Sequence, residues 1–303
     1  MATVVEVTEL RKRYGETVAV AGVSLTVQAG EILGIVGPNG AGKTTTVECL
    51  EGLRRPDTGQ VRVLGLDPLR QGAELHQRIG VQLQQAALPD RLKVWEALDL
   101  YAAFYRHPAD WRLLLEEWGL AAKRNAAFAD LSGGQRQRLF IALSLVGQPE
   151  MVFLDELTTG LDPQARRSTW ELVKQVRAKG TTVVLVTHFM EEAELLCDRV
   201  AIVDHGRVVA LDTPTALVRG LRAGQRLRFR ALGPFDPESL RTLPGVEQVE
   251  RDGDQVAVAG DGPLLATVAA ALADEAVPVA DLRSEEANLE DAFLALTGRA
   301  PRD

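Results

Sequence analysis

Gly37-Pro38-Asn39-Gly40-Ala41-Gly42-Lys43-Thr44 is the stretch that decides how this chain is read. Ahead of it, residues 31–36 form a short apolar run, the pattern of a buried strand; behind it, residues 43–50 read as a helix. Strand, glycine-rich turn and helix in that order build a cradle for phosphate. The glycines let several backbone N–H groups converge on one anion, and the helix adds its positive N-terminal end. Lys43 supplies a point charge for the β- and γ-phosphates of a nucleotide, and the Thr44 hydroxyl can ligate Mg²⁺. The plain alternative is a glycine turn beside a surface lysine, and the flanking strand and helix argue against it.

The second half of such a site comes after Met151-Val152-Phe153-Leu154, another buried-strand candidate, which runs into Asp155 and Glu156. Two carboxylates at the end of a buried strand are costly unless a metal relieves them. Asp155 can hold Mg²⁺ through water, and Glu156 can act on an attacking water as general base. Alone, the pair would be an acidic turn after a core strand; with the phosphate loop upstream it becomes half of a site. Residues 182–186 are a third buried strand. Between them, residues 163–179 carry a helical stripe of Ala165, Trp170, Leu172, Val173 and Val176, with Pro163 where a first-turn proline is tolerated. Strand, helix and strand at this spacing predict a parallel sheet with helices on its faces. Residues 88–147 read differently. Val94, Ala97, Leu98, Tyr101, Ala102 and Tyr105 keep helical spacing, and residues 111–118 and 135–146 are helical again, so a mostly helical insert interrupts the α/β core.

Composition narrows the class. The 303 residues carry 34 Lys+Arg against 42 Asp+Glu, a net charge of −8, which gives the whole body no attraction to nucleic acid phosphates. Cys49 and Cys197 are the only cysteines, too few for a disulfide framework or a four-cysteine zinc site. No run approaches the roughly 20 apolar residues of a membrane-spanning helix. Met1-Ala2-Thr3-Val4-Val5-Glu6 lacks the basic start and apolar core of a secretory signal, so the expectation is a cytosolic chain with reduced thiols. A boundary comes after residues 218–224. Beyond it, residues 226–230 and 255–259 alternate like half-exposed strands, and 264–272 and 289–296 look helical, predicting a small α+β domain. From Leu221 onward there are 9 basic and 15 acidic residues, a net of −6, so the tail holds most of the excess acid. No internal repeat of fixed period is present.

Leu131-Ser132-Gly133-Gly134-Gln135 precedes an apolar helix shortly before the acidic strand. With this motif added, roughly residues 3–219 resemble the nucleotide-binding subunit of an ATP-binding cassette (ABC) transporter. The resemblance implies a P-loop NTPase core, a mixed sheet flanked by helices, with a helical subdomain inserted at about 87–147, as the nucleotide-binding domain 1–219. A C-terminal α+β accessory domain, 221–303, completes the chain's organisation. The resemblance further implies ATP and Mg²⁺ as ligands, with Gly37, Pro38, Asn39, Gly40, Ala41, Gly42, Lys43, Thr44 and Thr45 on ATP. Leu131, Ser132, Gly133, Gly134 and Gln135 would cap the ATP of a second subunit in a homodimer. Ser132 suits a helix N-cap, and the two glycines allow close backbone approach.

The same resemblance assigns other positions. Tyr14, in Arg11-Lys12-Arg13-Tyr14-Gly15, matches the aromatic that stacks on adenine. Gln84, in Ile79-Gly80-Val81-Gln82-Leu83-Gln84, matches the glutamine that senses Mg²⁺ and the attacking water; Leu83 stands in place of the family's proline, and Gln82 and Gln85 flank it. His188 matches the switch histidine at the γ-phosphate, and Asp162, in Thr159-Gly160-Leu161-Asp162, the loop that crosses the dimer interface. Leu157 replaces another usual proline, removing a rigid turn beside Glu156. The expected site is therefore Glu156, His188 and Gln84 for catalysis, with Thr44, Gln84 and Asp155 on the metal. Leu289-Glu290-Asp291-Ala292-Phe293-Leu294-Ala295-Leu296-Thr297-Gly298 resembles the C-terminal extension of daunorubicin- and doxorubicin-resistance-type exporter ATPases. It implies a membrane-spanning permease as partner, a position on the cytoplasmic face of the membrane, and export as the direction. Two rival readings are a soluble ABC-type switch in DNA repair or translation and a small-molecule phosphotransferase. One phosphate loop, one signature, no heptad run and few cysteines speak against the first; the signature and the water-directed Glu156 speak against the second.

Overall fold

The computed structural model describes residues 2–83, 86–220, 225–233, 235–260 and 262–298. They form two compact units, one ending at Pro214 and one beginning at Thr215. In the first unit β1 (Thr3–Tyr14), β2 (Thr17–Gln28) and β4 (Thr58–Val63) make an antiparallel sheet in the order β2-β1-β4. The linear pattern of the chain does not announce this sheet, for a physical reason. Register shifts along β1, one of them around Glu9 at φ 49°, break the period-2 alternation that marks a strand.

The second sheet of this unit has six strands in the order β5-β6-β7-β3-β8-β9. They are β3 (Ile32–Val36), β5 (Ile79–Gln82), β6 (Met151–Asp155), β7 (Thr182–Thr187), β8 (Arg199–Asp204) and β9 (Arg207–Asp212). Every residue of β3, β6 and β7 is buried. Strands covered on both faces do not tolerate polar alternation, which is why they read as unbroken apolar runs. Only β9 runs antiparallel, closing a hairpin with β8. Because β5, β6, β7 and β3 are parallel, their carboxyl ends share one edge. The strand ends therefore gather the phosphate loop after Val36, Asp155 and Glu156 at the end of β6, His188 after Thr187 and Gln82 at the end of β5.

Helix α1 (Lys43–Leu50) leaves the phosphate loop, and α2 (Gly72–Leu75) precedes β5. The helical insert contains α3 (Val94–Ala102), α4 (Trp111–Glu117) and α5 (Gly133–Leu145). Helix α3 stops at Ala102, short of Tyr105, although the helical spacing of the sequence runs on to that residue. The chain turns there through Phe104 and Tyr105, with the Tyr105 ring lying against Gly147. Helices α6 (Pro163–Ala178) and α7 (Met190–Leu196) flank β7 along the chain, and α8 (Pro214–Arg219) straddles the break between the units.

The second unit is an antiparallel sheet, β11-β12-β10-β13, made of β10 (Gln225–Ala231), β11 (Val246–Asp252), β12 (Gln255–Gly260) and β13 (Val279–Glu286). It is accompanied by α9 (Glu238–Arg241), α10 (Leu264–Asp274) and α11 (Leu289–Thr297). Leu227 and Phe229 of β10 and Val256 and Val258 of β12 share a core with Leu264, Val268 and Leu272 of α10. Asn288 caps α11 in a reciprocal box with Asp291, and Gly298 ends it in the left-handed conformation. No helix among the described residues is long and apolar enough to cross a membrane.

Candidate functional site

The loop between β3 and α1 is held by backbone contacts that only glycine permits. Gly42 sits at φ 96°, and a Cβ there would run into the Ala19 carbonyl; a Cβ on Gly37 would meet the Val203 carbonyl. The loop is tied down by Ala41 N to Pro38 O (3.1 Å) and by Gly206 N to Ala41 O (3.0 Å). Helix α1 starts at Lys43, so its first-turn N–H groups open into the loop. Lys43 is only 6% exposed, and its ammonium folds back to donate to the carbonyls of Gly37 (2.7 Å) and Pro38 (3.0 Å). Burial pushes its pKa down, while Glu156 and Asp155 pull it up.

Asp155 is equally buried. Thr44 donates its hydroxyl to Oδ2 at 3.2 Å, and Oδ1 is buried with no partner among the described residues. Burial first, and the neighbouring Glu156 charge second, raise its pKa from the ordinary carboxylate range to about 6. An orphaned carboxylate oxygen beside a threonine hydroxyl is a hard-oxygen half-shell. Among the described residues no three His, Cys, Asp or Glu side chains gather to cage a metal. That donor set fits Mg²⁺, which keeps several waters and takes its remaining ligands from phosphate.

Glu156 adopts φ 50°, left-handed for a non-glycine residue, with its N–H held by Val186 O at 2.9 Å. Such a backbone is strained and persists only where surroundings impose it. The turn aims the carboxylate at His188, with Oε1 3.6 Å from Nδ1. That separation is an ion-pair approach and too long for a hydrogen bond, and Nδ1 is buried without a hydrogen-bond partner among the described residues.

The structure thus brings Gly37–Thr45, Asp155, Glu156 and His188 to one sheet edge. Gln84 lies outside the described residues. Gln82, which in the sequence only flanks the expected glutamine, is buried at this edge: it donates to Leu83 O (3.1 Å) and Asp155 O (3.4 Å), and its Oε1 has no partner among the described residues. The signal for it was the end of a short apolar strand. Among the described residues no hydrogen bond or ion pair joins Leu131–Gln135 to the phosphate loop. Ser132 instead caps α5 in a box with Gln135, with Gly133 exposed and Gly134 half-buried at the helix start. Asp162 caps α6, accepting from Gln164 N and Ala165 N, both at 2.9 Å. Tyr14 is 43% exposed, with the Lys12 ammonium and the Arg54 guanidinium each 5.6 Å from its ring centre. Cys49 and Cys197 are buried free thiols. A wide cleft of about 840 Å³ lies on the C-terminal sheet beside Arg226, Arg230 and Asp281, where opposite charges pair with each other and no reacting group is present.

This constellation defines a nucleotide-hydrolysing class. The ABC transporter family model matches residues 20–159. The chain belongs to the ABC transporter family as an ATP-binding subunit, an ATPase. It is 40% identical to Nod factor export ATP-binding protein I of Ralstonia nicotianae, covering 99% of this chain and 95% of that one. It is 38% identical to daunorubicin resistance ATP-binding protein DrrA2 of Streptomyces coeruleorubidus, covering 95% and 93%. Among solved structures, an ATP-binding subunit of an ABC transporter superposes with a TM-score of 0.65 at 28% identity, over 71% of this chain and 92% of that one. A dimeric post-hydrolysis ATP-binding cassette bound to ADP and Pi gives 0.61 at 28% identity, over 69% and 98%.

Proposed function

We propose that this chain is the ATP-hydrolysing subunit of a multisubunit membrane exporter for a drug, antibiotic or lipid-like molecule, driven by closure and reopening of two such subunits around ATP. One observation carries the reading: Lys43, Asp155, Glu156 and His188 converge at one sheet edge, where Asp155 Oδ1 and His188 Nδ1 are buried with no partner among the described residues. Export as the direction draws support from the end-to-end likeness to an exporter's and a drug-resistance ATP-binding protein.

Lys43 swings from the Gly37 and Pro38 carbonyls to the β- and γ-phosphates, whose negative charge offsets the burial that penalises the ammonium. Loop amides and the start of α1 bind the same phosphates. Thr44, Asp155 and Gln84 would hold Mg²⁺, which would supply charge neutralisation and polarisation of the phosphate. Glu156 accepts a proton from the attacking water, and the His188 imidazole beside it fixes that water and the γ-phosphate in line. Tyr14 stacks on adenine. Leu131–Gln135 of each subunit closes over the ATP of the other, with Asp162 at the shared interface. Residues 1–219 form this nucleotide-binding domain, and residues 221–303 an accessory domain. Gln84 and the helical insert pass the motion to a permease, which holds the chain at the cytoplasmic face of the membrane; nucleic acid has no part in it.

Glu156→Gln tests the reading. Turnover is expected to fall about 10²–10⁴-fold, the usual worth of a general base, and light scattering with MgATP is expected to show a stable dimer. Undiminished turnover sinks the assignment.

A further inference from the structure

Helix α7 carries Glu191, Glu192 and Glu194 in succession, and only Glu192 is inside, with no exposed surface. Its Oε1 accepts two hydrogen bonds at 2.9 Å, from the Thr158 hydroxyl and from the Trp170 indole N–H. Oε2 is buried with no hydrogen-bond partner among the described residues. Burial raises its pKa, and the neighbouring Thr187 hydroxyl, the Trp170 and Thr158 donors and the Arg166 charge oppose that rise. A carboxyl in such a place is expensive, and an apolar side chain of similar volume would fill it at lower cost.

What the carboxyl joins is specific. Thr158 lies two residues beyond Glu156, in the turn leading to Asp162. Trp170 belongs to α6, the helix that Asp162 caps. Glu192 itself lies in the first turn of α7, the helix that follows His188 in the chain. The outer side of the same assembly is closed by Arg166, whose guanidinium lies 4.4 Å over the Phe189 ring; that ring lies 4.2 Å from His188. Arg166 Nε is buried without a hydrogen-bond partner among the described residues, as Glu192 Oε2 is. One carboxylate oxygen therefore bridges the turn that carries the general base, the helix behind the interface aspartate and the segment that carries the switch histidine.

We propose that Glu192 is a positioning residue for ATP hydrolysis: through Thr158 and Trp170 it locks the Glu156–Asp162 turn to the His188 segment, so that movement of the partner-facing loop moves the histidine with it. The inference rests on the hydrolytic reading above. Side-chain networks of this kind set the geometry of reacting groups without touching substrate. Nucleotide affinity, which comes from the phosphate loop, stays outside this linkage.

The test uses the full-length chain with MgATP, measuring kcat, KM, equilibrium ATP affinity and Tm for four variants. Glu192→Leu is expected to lower kcat at least tenfold, with KM and affinity within twofold of wild type. Glu192→Gln, which keeps an acceptor oxygen for Thr158 and Trp170, is expected to restore kcat to within about threefold. Thr158→Val and Trp170→Phe each remove one donor and are expected to lower kcat less than Glu192→Leu; they carry the test if that variant does not fold. Wild-type kcat in Thr158→Val and Trp170→Phe overturns the inference. So does a parallel loss of kcat, affinity and Tm that Glu192→Gln fails to rescue, since that marks a purely structural residue. Glu156→Gln is measured alongside. Normal turnover there removes the base on which both readings stand; abolished turnover there with wild-type kcat in the Glu192 set removes this inference alone.

Discussion

At the end of β6, Asp155 is 6% exposed and Lys43 likewise, and the charges they bury are matched only in part by protein. On β10 the reverse holds. Arg226, Arg228 and Arg230 stand on the outer face, alternating with buried Leu227, Phe229 and Ala231. There Arg226 pairs with Asp291 at 2.8 Å and Arg230 with Asp281 at 2.9 Å. The antiparallel sheet has one wet face on which charge is hydrated and readily paired; the parallel sheet is covered on both faces and admits charge only at its ends. The first region keeps buried polar atoms with no partner among the described residues. The C-terminal sheet is complete as it stands. An unmatched buried charge marks a site, and a row of paired exposed charges marks a surface.

Three changes break or sharpen this contrast. The largest effect falls on the self-sufficient region. Phe229→Ala empties a buried position that packs edge-on against Phe235. It is expected to cost the C-terminal unit about 3–5 kcal/mol, with ATP affinity unchanged; denaturant titration alongside nucleotide binding checks both. Equal loss of ATP binding would mean that the two regions are one cooperative body.

The next concerns the first region. Glu51, at the end of α1, is 3% exposed, and burial, with the Asp155 and Glu48 charges behind it, raises its pKa to about 8. Between its ordinary value of 4.5 and about 8 the folded chain keeps a proton that the unfolded chain has lost. Stability therefore falls as pH rises through that window. Glu51→Gln removes the slope and is expected to stabilise the chain by roughly 3 kcal/mol at pH 7, at about 1.4 kcal/mol per pKa unit, with no gain at pH 4. Unfolding midpoints across pH 4–8 check it, and parallel curves for the two proteins would show that the charge is matched after all. The smallest effect belongs to the outer face of β10. Arg230→Ala breaks an exposed pair and is expected to cost less than about 1 kcal/mol; a larger loss in the same titration would show that this face is more than surface.

The legible parts of the fold share a physical property: each advertises its burial along the chain. Strands β3, β6 and β7 are apolar throughout, and the helices of the insert and of α10 keep a 3.6-residue stripe. The strands of the N-terminal sheet are hard to read because β1 is bulged, and β5 because four residues are too few to show a period. Within the site, Lys43, Thr44, Asp155 and Glu156 are readable because phosphate chemistry needs those residue types at fixed offsets from a strand. Glu51 and Gln82 are not, since each looks like an ordinary polar residue at the end of an element.

Sequence alone determined the phosphate loop, the acidic strand end, the family these define and the helical insert between them, because local backbone geometry and ligand chemistry dictate residue types at short range. Tertiary structure alone decided which of three neighbouring glutamates on α7 is inside. Nothing in the local pattern separates Glu192 from Glu191 or Glu194. The distinction arises where Thr158, Trp170 and the end of β7, far apart along the chain, close around one carboxylate and exclude water from it.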